Sequence, residues 1–165
     1  MKGTLERDTL DKVAELLLSS EMKAIVALAV DLYDDYDLPD IEEVYINEED
    51  ADKIKKTPCF LLKPNGWRSI NATAGGYIYE FAVIVCAYVH VNTSEGIPAT
   101  HEKAATYLGC AMDLLFTSHS YEAGYWITAR PDEPAALDDM LQEALGELGR
   151  SSCHQIVLQV PVDYI

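Results

Sequence analysis

The run Tyr77–Val91 (YIYEFAVIVCAYVHV) constrains the fold of this chain more than any other segment. It carries a single charged side chain, Glu80, in fifteen positions. β-Branched and aromatic residues dominate it, and Gly75-Gly76 precedes it, a combination that predicts a strand rather than a helix. At about 3.3 Å per residue the strand would span roughly 50 Å, well beyond the usual length. Its odd positions, from Tyr77 through Phe81, Val83 and Val85 to Val91, make one wholly apolar face. The even positions, Ile78, Glu80, Ala82, Ile84, Cys86, Tyr88 and His90, are mixed. A strand longer than one small domain needs is expected to continue into an arm, a ribbon or a neighbouring subunit.

Three helical segments follow from periodicity. A 3.6-residue apolar repeat (Leu5, Leu10, Val13, Leu16, Leu17, Ala24, Ile25, Leu28, Leu32) predicts a helical segment over 5–31, with a break near 19–21 where Ser19-Ser20-Glu21 reads as a second helix start. Pro39 and a crowd of acids end it. The stretch 101–116 reads as a helix capped by Thr100, with Ala104, Ala105, Leu108, Ala111, Met112, Leu115 and Phe116 as its buried stripe. A further helix is expected over 135–148 from Leu137, Met140, Leu141, Ala144, Leu145 and Leu148, closed by Gly149 as a C′ glycine.

The remaining strands are expected at 58–63, 125–129 and 154–162, with a short one at Val44–Ile46. Asn65-Gly66 is a hairpin signal, with Trp67–Ile70 pairing back and Asn71–Gly76 as a flexible loop. Glu48–Lys56 reads as a polar loop or a single helical turn. The fold class is α+β: one domain over 1–165, with the sheet-and-helix core at 58–165. A central, mainly antiparallel sheet of about four to five strands is flanked by helices. A length of 165 residues with 49% hydrophobic content supports one such core.

Charge narrows the partners. The chain has 28 acidic and 12 basic side chains, a net charge of −16. Its densest basic group, Lys53, Lys55 and Lys56, sits beside Glu48, Glu49, Asp50 and Asp52, so no stripe tracks a phosphate backbone and direct nucleic-acid binding is not expected. Three readings of the acids stay open. They keep the chain soluble, they present a negative surface to a basic partner, or they line a passage that DNA slides through. The start MKGTLERDTLDK lacks the apolar core of a secretory leader. The run Ala24–Val30 is too short to span a bilayer. The four cysteines, Cys59, Cys86, Cys110 and Cys153, form no C-x-x-C and are expected to be reduced and buried in an intracellular protein.

Catalytic and cofactor motifs do not emerge. The phosphate-cradling patterns G-x-x-x-x-G-K-[ST] and G-x-G-x-x-G are absent, as are G-x-S-x-G and H-E-x-x-H. Ser20–Lys23 matches S-x-x-K without the companion motifs. His90, His101, His119 and His154 share no ligand spacing. The acids from Asp31 to Glu43 lack the glycine of a calcium loop, and Pro39 intrudes. No catalytic residue, metal or cofactor is therefore expected. Tyr33, Tyr36, Tyr121 and Tyr164 lie in polar or terminal contexts and read either as interface aromatics or as ordinary surface residues.

The order of elements resembles a known layout. An N-terminal helix leads through a loop to a Pro-led strand (TPCFLLKP) and a long antiparallel strand (YEFAVIVCAYVHV). A helix (HEKAATYLGCAMDLLF) and late strands with a hydrophobic end (HQIVLQVPVDYI) complete it. This is similar to the tail terminator, or tail-completion, proteins of tailed bacteriophages. The resemblance implies a non-enzymatic virion protein of the tail and neck, assembled in the host cytoplasm as a homo-hexameric ring that caps the tail tube and joins it to the neck and connector proteins. DNA would pass through without specific binding, and no membrane is involved. On that resemblance Trp67, Arg68, Gly75, Gly76 and Tyr77 are candidate subunit-interface residues. Asp34, Asp35, Asp37, Glu42 and Glu43 are candidate lumenal acids, with 132–147 as a second acidic source. The alternative is an acidic antagonist of the immunity-protein or DNA-mimic kind, bound to a basic partner.

Overall fold

The structure, a computed structural model, describes residues 4–32, 37–73, 76–92, 94–117, 120–122, 125–137 and 139–161. The long apolar run is strand β3, Gly76–His90, which pairs antiparallel with β2 (Cys59–Thr73) on one side and with β6 (Gly149–Pro161) on the other. β1 (Glu43–Ile46) adds to β2 in parallel, and β5 (Tyr125–Pro131) adds to β6 antiparallel. The result is a mostly antiparallel open sheet in the order β1-β2-β3-β6-β5, with the short β4 (Ser120–Glu122) beside β5. With the four α-helices among the described residues it forms one α+β domain.

The length of β3 is used inside the subunit. Its register with β2 runs from Gly76 to Tyr88 and with β6 from Ile78 to His90. Both rows of its backbone amides and carbonyls are thus taken up. The excess expected to reach a neighbour appears instead on β2, which is as long as β3 but has β1 beside it only from Cys59 to Leu62.

Two expectations about this hairpin are corrected. Asn65-Gly66 is not its turn. The two residues form a bulge inside β2, between the Pro64–Val83 and Trp67–Phe81 pairs, with Gly66 at φ 87°. Glycine tolerates that backbone whether the site is a turn or a bulge, so the dipeptide alone does not separate them. Residues 71–73 are strand rather than loop, and the chain reverses between Thr73 and Gly76. Residues 74 and 75 lie outside the described residues, as do 33–36 and 162–165.

The alternating faces of β3 define two layers. Phe81, Val83, Val85 and Ala87, with Ile156, Leu158 and Val160 of β6, bury against helices α1 (Leu5–Leu17), α2 (Ser20–Leu32) and α3 (Ile97–Thr117). Each such aliphatic side chain contributes about 1.5–3 kcal/mol when removed from water. The break between α1 and α2 falls as the serines predict: Ser19 Oγ accepts from Met22 N–H at 3.3 Å and donates to the Leu16 carbonyl at 2.6 Å.

That break resets the helical phase. One continuous stripe would bury Ala24 and Leu28, yet both are exposed, Leu28 at 63%; Met22 and Val26 are buried instead. α3 starts earlier than its Thr100 cap implies. Thr100 lies inside the helix and donates to the Gly96 carbonyl at 3.0 Å, and Lys103 is buried in an ion pair with Glu95. Ala105, expected in the stripe, is exposed.

Helix α4 (Asp139–Gly146) covers part of the opposite face. Leu137, Leu141 and Leu145 meet Cys59, Leu61, Cys86 and Tyr88 there, joined by Ile54 after the 3-10 turn Ala51–Lys53. Met140 and Leu148, expected to be buried, are exposed at 81% and 65%. Gly149 does not cap the helix; it is the first residue of β6.

Candidate functional site

Two surfaces stand out. The first is the far end of the β2–β3 hairpin. From Lys63 to Thr73, β2 has β3 on one side and no strand on the other among the described residues. An unpaired row of N–H and C=O groups is a template for another chain. Pro64, which has no N–H, and the bulge at Asn65-Gly66 interrupt the row at its base, and the pairing is regular from Ser69 onward.

A second register shift, between Trp67 and Ser69, turns consecutive side chains to unexpected faces. Trp67 packs on the helix-layer face, its ring 5.7 Å from Tyr79 and 5.3 Å from Phe81. Ile70 stands opposite Tyr79. Both remain exposed, at 45% and 57%. Arg68 and Ser69 reach the other face, where Arg68 Nη2 lies 3.3 Å from Asp132 Oδ2 and Ser69 Oγ donates to Glu80 at 2.9 Å. The expected Trp67–Arg68 patch is thus split: Trp67 is free to meet a partner, while Arg68 is engaged within the subunit. Ile70 was not anticipated; an isoleucine in the polar tract Asn65–Thr73 was its one sequence signal. Gly76 opens β3 opposite Thr73, Tyr77 pairs with Ala72 in the ladder, and Gly75 lies outside the described residues.

Beneath Arg68 the sheet carries a polar cluster. Gln155 links Asn65 and Asp132: its Oε1 accepts from Asn65 Nδ2 at 2.6 Å and its Nε2 donates to Asp132 Oδ2 at 2.9 Å. The Gln155 bond, more than Arg68, holds the Asp132 carboxyl below the usual range. Glu80 accepts from Gln159 Nε2 at 2.8 Å and from Arg130 Nη2 at 3.4 Å besides Ser69. Burial works to raise its pKa, but the three donors together outweigh burial and hold it below its ordinary value. These charges are internally matched, so the cluster reads as structural.

A depressed folded-state pKa contributes stability that is complete above the unfolded value, about 4.3 for Glu, and is lost as pH falls through the folded one. Glu80→Gln is therefore expected to cost about 1–2 kcal/mol near neutral pH and to soften the acid limb of the stability profile. Denaturant melts from pH 7 to pH 3 check this; parallel acid limbs for both proteins would refute it.

The second surface surrounds α4. Met140 and Ala144, with Leu148 just beyond the helix, lie along its outer side. Grooves of about 490 Å3 and 400 Å3 flank it. Glu49, Asp50 and Asp52 rim the first, with Lys63 bridging to Glu49 at 3.9 Å; Glu143 and Glu147 rim the second. Of the expected lumenal acids, Asp37 and Glu42 are exposed and Glu43 is half-buried in β1; Asp34 and Asp35 lie outside the described residues. The loop 37–42 is pinned by the buried Leu38 and Ile41 and by Tyr107, whose hydroxyl donates to the Pro39 carbonyl, so its acids face outward from an apolar anchor.

Among the described residues no three His, Cys, Asp or Glu side chains converge to hold a metal ion. No helix there is long and apolar enough to cross a membrane. The four cysteines are free, and Cys153, unlike the other three, is half-buried rather than buried. Neither protein-family models nor curated proteins give a match to this sequence.

Proposed function

We propose that this chain is a structural subunit that closes into a homo-hexameric ring, in the manner of the phage tail terminators it resembles. The observation that carries the reading is the open outer edge of β2 over 63–73, flanked by exposed Trp67 and Ile70. Strand addition along that edge, with the two side chains filling a neighbour's apolar recess, is a head-to-tail contact, the kind that generates rings. In this reading the protein sits in the virion between tail tube and neck, catalyses nothing, and contacts those proteins and its own copies. Asp37, Glu42 and Glu43 would face a lumen in which repulsion keeps passing DNA from adhering.

The test is native mass, alone and with purified tail tubes. The expected species is a sixfold assembly. Trp67→Asp combined with Ile70→Asp is expected to leave folded monomers that still melt cooperatively by circular dichroism, at a somewhat lower temperature because the Trp67 ring packs on Tyr79 and Phe81. A variant that still assembles, or a wild type that stays monomeric even on tubes, would overturn the reading.

The acid-rimmed stripe Met140–Ala144–Leu148 favours a second reading, an antagonist of a basic partner. A stoichiometric complex with a basic protein, abolished by Glu143→Lys and Glu147→Lys in a monomeric wild type, would establish that alternative.

A further inference from the structure

The β3–β6 register sets Cys86 directly opposite Cys153, and both side chains lie on the face that α4 covers. Opposed residues of antiparallel strands have Cα atoms about 4.5–5.5 Å apart, inside the disulfide range of about 4.4–6.8 Å. The two thiols are close enough for each to shift the other's ionisation, so the sulfurs are already neighbours. From this geometry we infer that Cys86 and Cys153 form an oxidisable dithiol, with Cys153 the sulfur that reacts first with a hydroperoxide and Cys86 the one that resolves it into a disulfide. The inference does not rest on the ring assembly.

The assignment of roles follows from surroundings. Cys86 is fully buried, whereas Cys153 is half-buried and reachable by a small oxidant. The neighbouring Cys86 thiol first, then the Leu137 backbone N–H and the Ser151 hydroxyl, favour the Cys153 thiolate and lower its pKa, whereas that of Cys86, whose thiol donates to the Ala87 carbonyl at 3.8 Å, is raised. Cys59, a neighbour in the same layer, is pushed up to about 12 by burial and by Glu43, which leaves it a thiol. Cys110 sits on α3 in the other layer and serves as an internal control.

The chemistry balances without a metal or a second protein. The Cys153 thiolate attacks the terminal oxygen of a hydroperoxide. The O–O bond breaks, the alkoxide or hydroxide leaves and takes up a proton, and a sulfenic acid remains. The Cys86 sulfur, giving up its proton, then attacks the Cys153 sulfur. The S–S bond forms, the S–O bond breaks, and the proton leaves with the hydroxide as water. Two electrons pass from the sulfur pair to the peroxide. Because β3 and β6 are already paired at this position, the disulfide cross-links the ladder without moving it.

The experiment treats the folded full-length protein with hydrogen peroxide, then counts thiols in denaturant and maps linked peptides by mass spectrometry. Wild type is expected to fall from four free thiols to two, with the link between Cys86 and Cys153 and its complete reversal by dithiothreitol. In Cys86→Ser, a dimedone adduct should accumulate on Cys153; in Cys153→Ser, three thiols should survive the same exposure. Circular dichroism confirms that each variant is folded, and Cys86→Ala replaces the serine variant if it is not. Four surviving thiols in wild type, a link through Cys59 or Cys110, or first adduct formation on Cys110 would overturn the assignment.

Discussion

Val83→Asp is expected to yield no folded subunit. Val83 is fully buried at the centre of β3, between Pro64 of β2 and Ile156 of β6, and points into the layer of α1, α2 and α3. Its neighbours in that layer are apolar. A carboxylate introduced there stays charged without partners or takes up a proton at the expense of a large pKa shift. Either outcome, added to the lost valine packing, costs on the order of 5 kcal/mol, comparable with the whole stability of a domain this size, about 5–15 kcal/mol. Far-UV circular dichroism and gel filtration of the variant check this. A soluble, cooperatively melting Val83→Asp protein would mean that the face is not sealed as described.

Gly149→Ala is expected to lower stability by about 3 kcal/mol, at the upper end of typical overpacking costs. The reason is contact rather than backbone freedom. A Cβ at this position would lie 2.3 Å from the Val89 carbonyl oxygen and 2.8 Å from the Tyr88 ring. Neither neighbour can yield easily. The carbonyl belongs to the β3 backbone, and the ring is tethered by the Tyr88 hydroxyl donating to the Leu145 carbonyl at 2.9 Å and by an edge-to-face contact with His90. Relief requires the strands to part at the His90–Gly149 pair. At about 2–4 °C per kcal/mol for a chain of this size, the melting temperature should fall by roughly 6–12 °C. Gly149→Ala with Tyr88→Leu should recover little, because the carbonyl clash remains. A wild-type melting temperature for Gly149→Ala would refute the packing argument.

Both substitutions act on the β3–β6 pairing, Val83 at its middle and Gly149 at its end, and only the first is readable in the local sequence. The burial of Val83 follows from alternation in Tyr77–Val91, a local pattern with a period of two. Gly149, which follows an amphipathic stretch, reads locally as a helix cap. The contact that requires a glycine there comes from Tyr88 and Val89, about sixty residues earlier in the chain.

The same division runs through the rest of the molecule. Local patterns in the chain set which stretches become strands or helices: the apolar run of β3, the repeats in α1 and α3, and the serines that separate α1 from α2. Each signal is complete within a few turns or a few pleats. Only the tertiary structure decided where the β2–β3 hairpin reverses, because the glycine at a bulge and the glycine in a turn share the same backbone freedom. It decided that Arg68 and Ser69, adjacent in the chain, reach the same face, since a register shift is a property of two strands rather than one. It decided that Met22 and Val26, not Ala24 and Leu28, face the core once the phase resets at Ser19. It also set Cys86 against Cys153, sixty-seven positions apart in the chain, because pairing between distant strands is chosen by the summed burial of both faces, which no single segment contains.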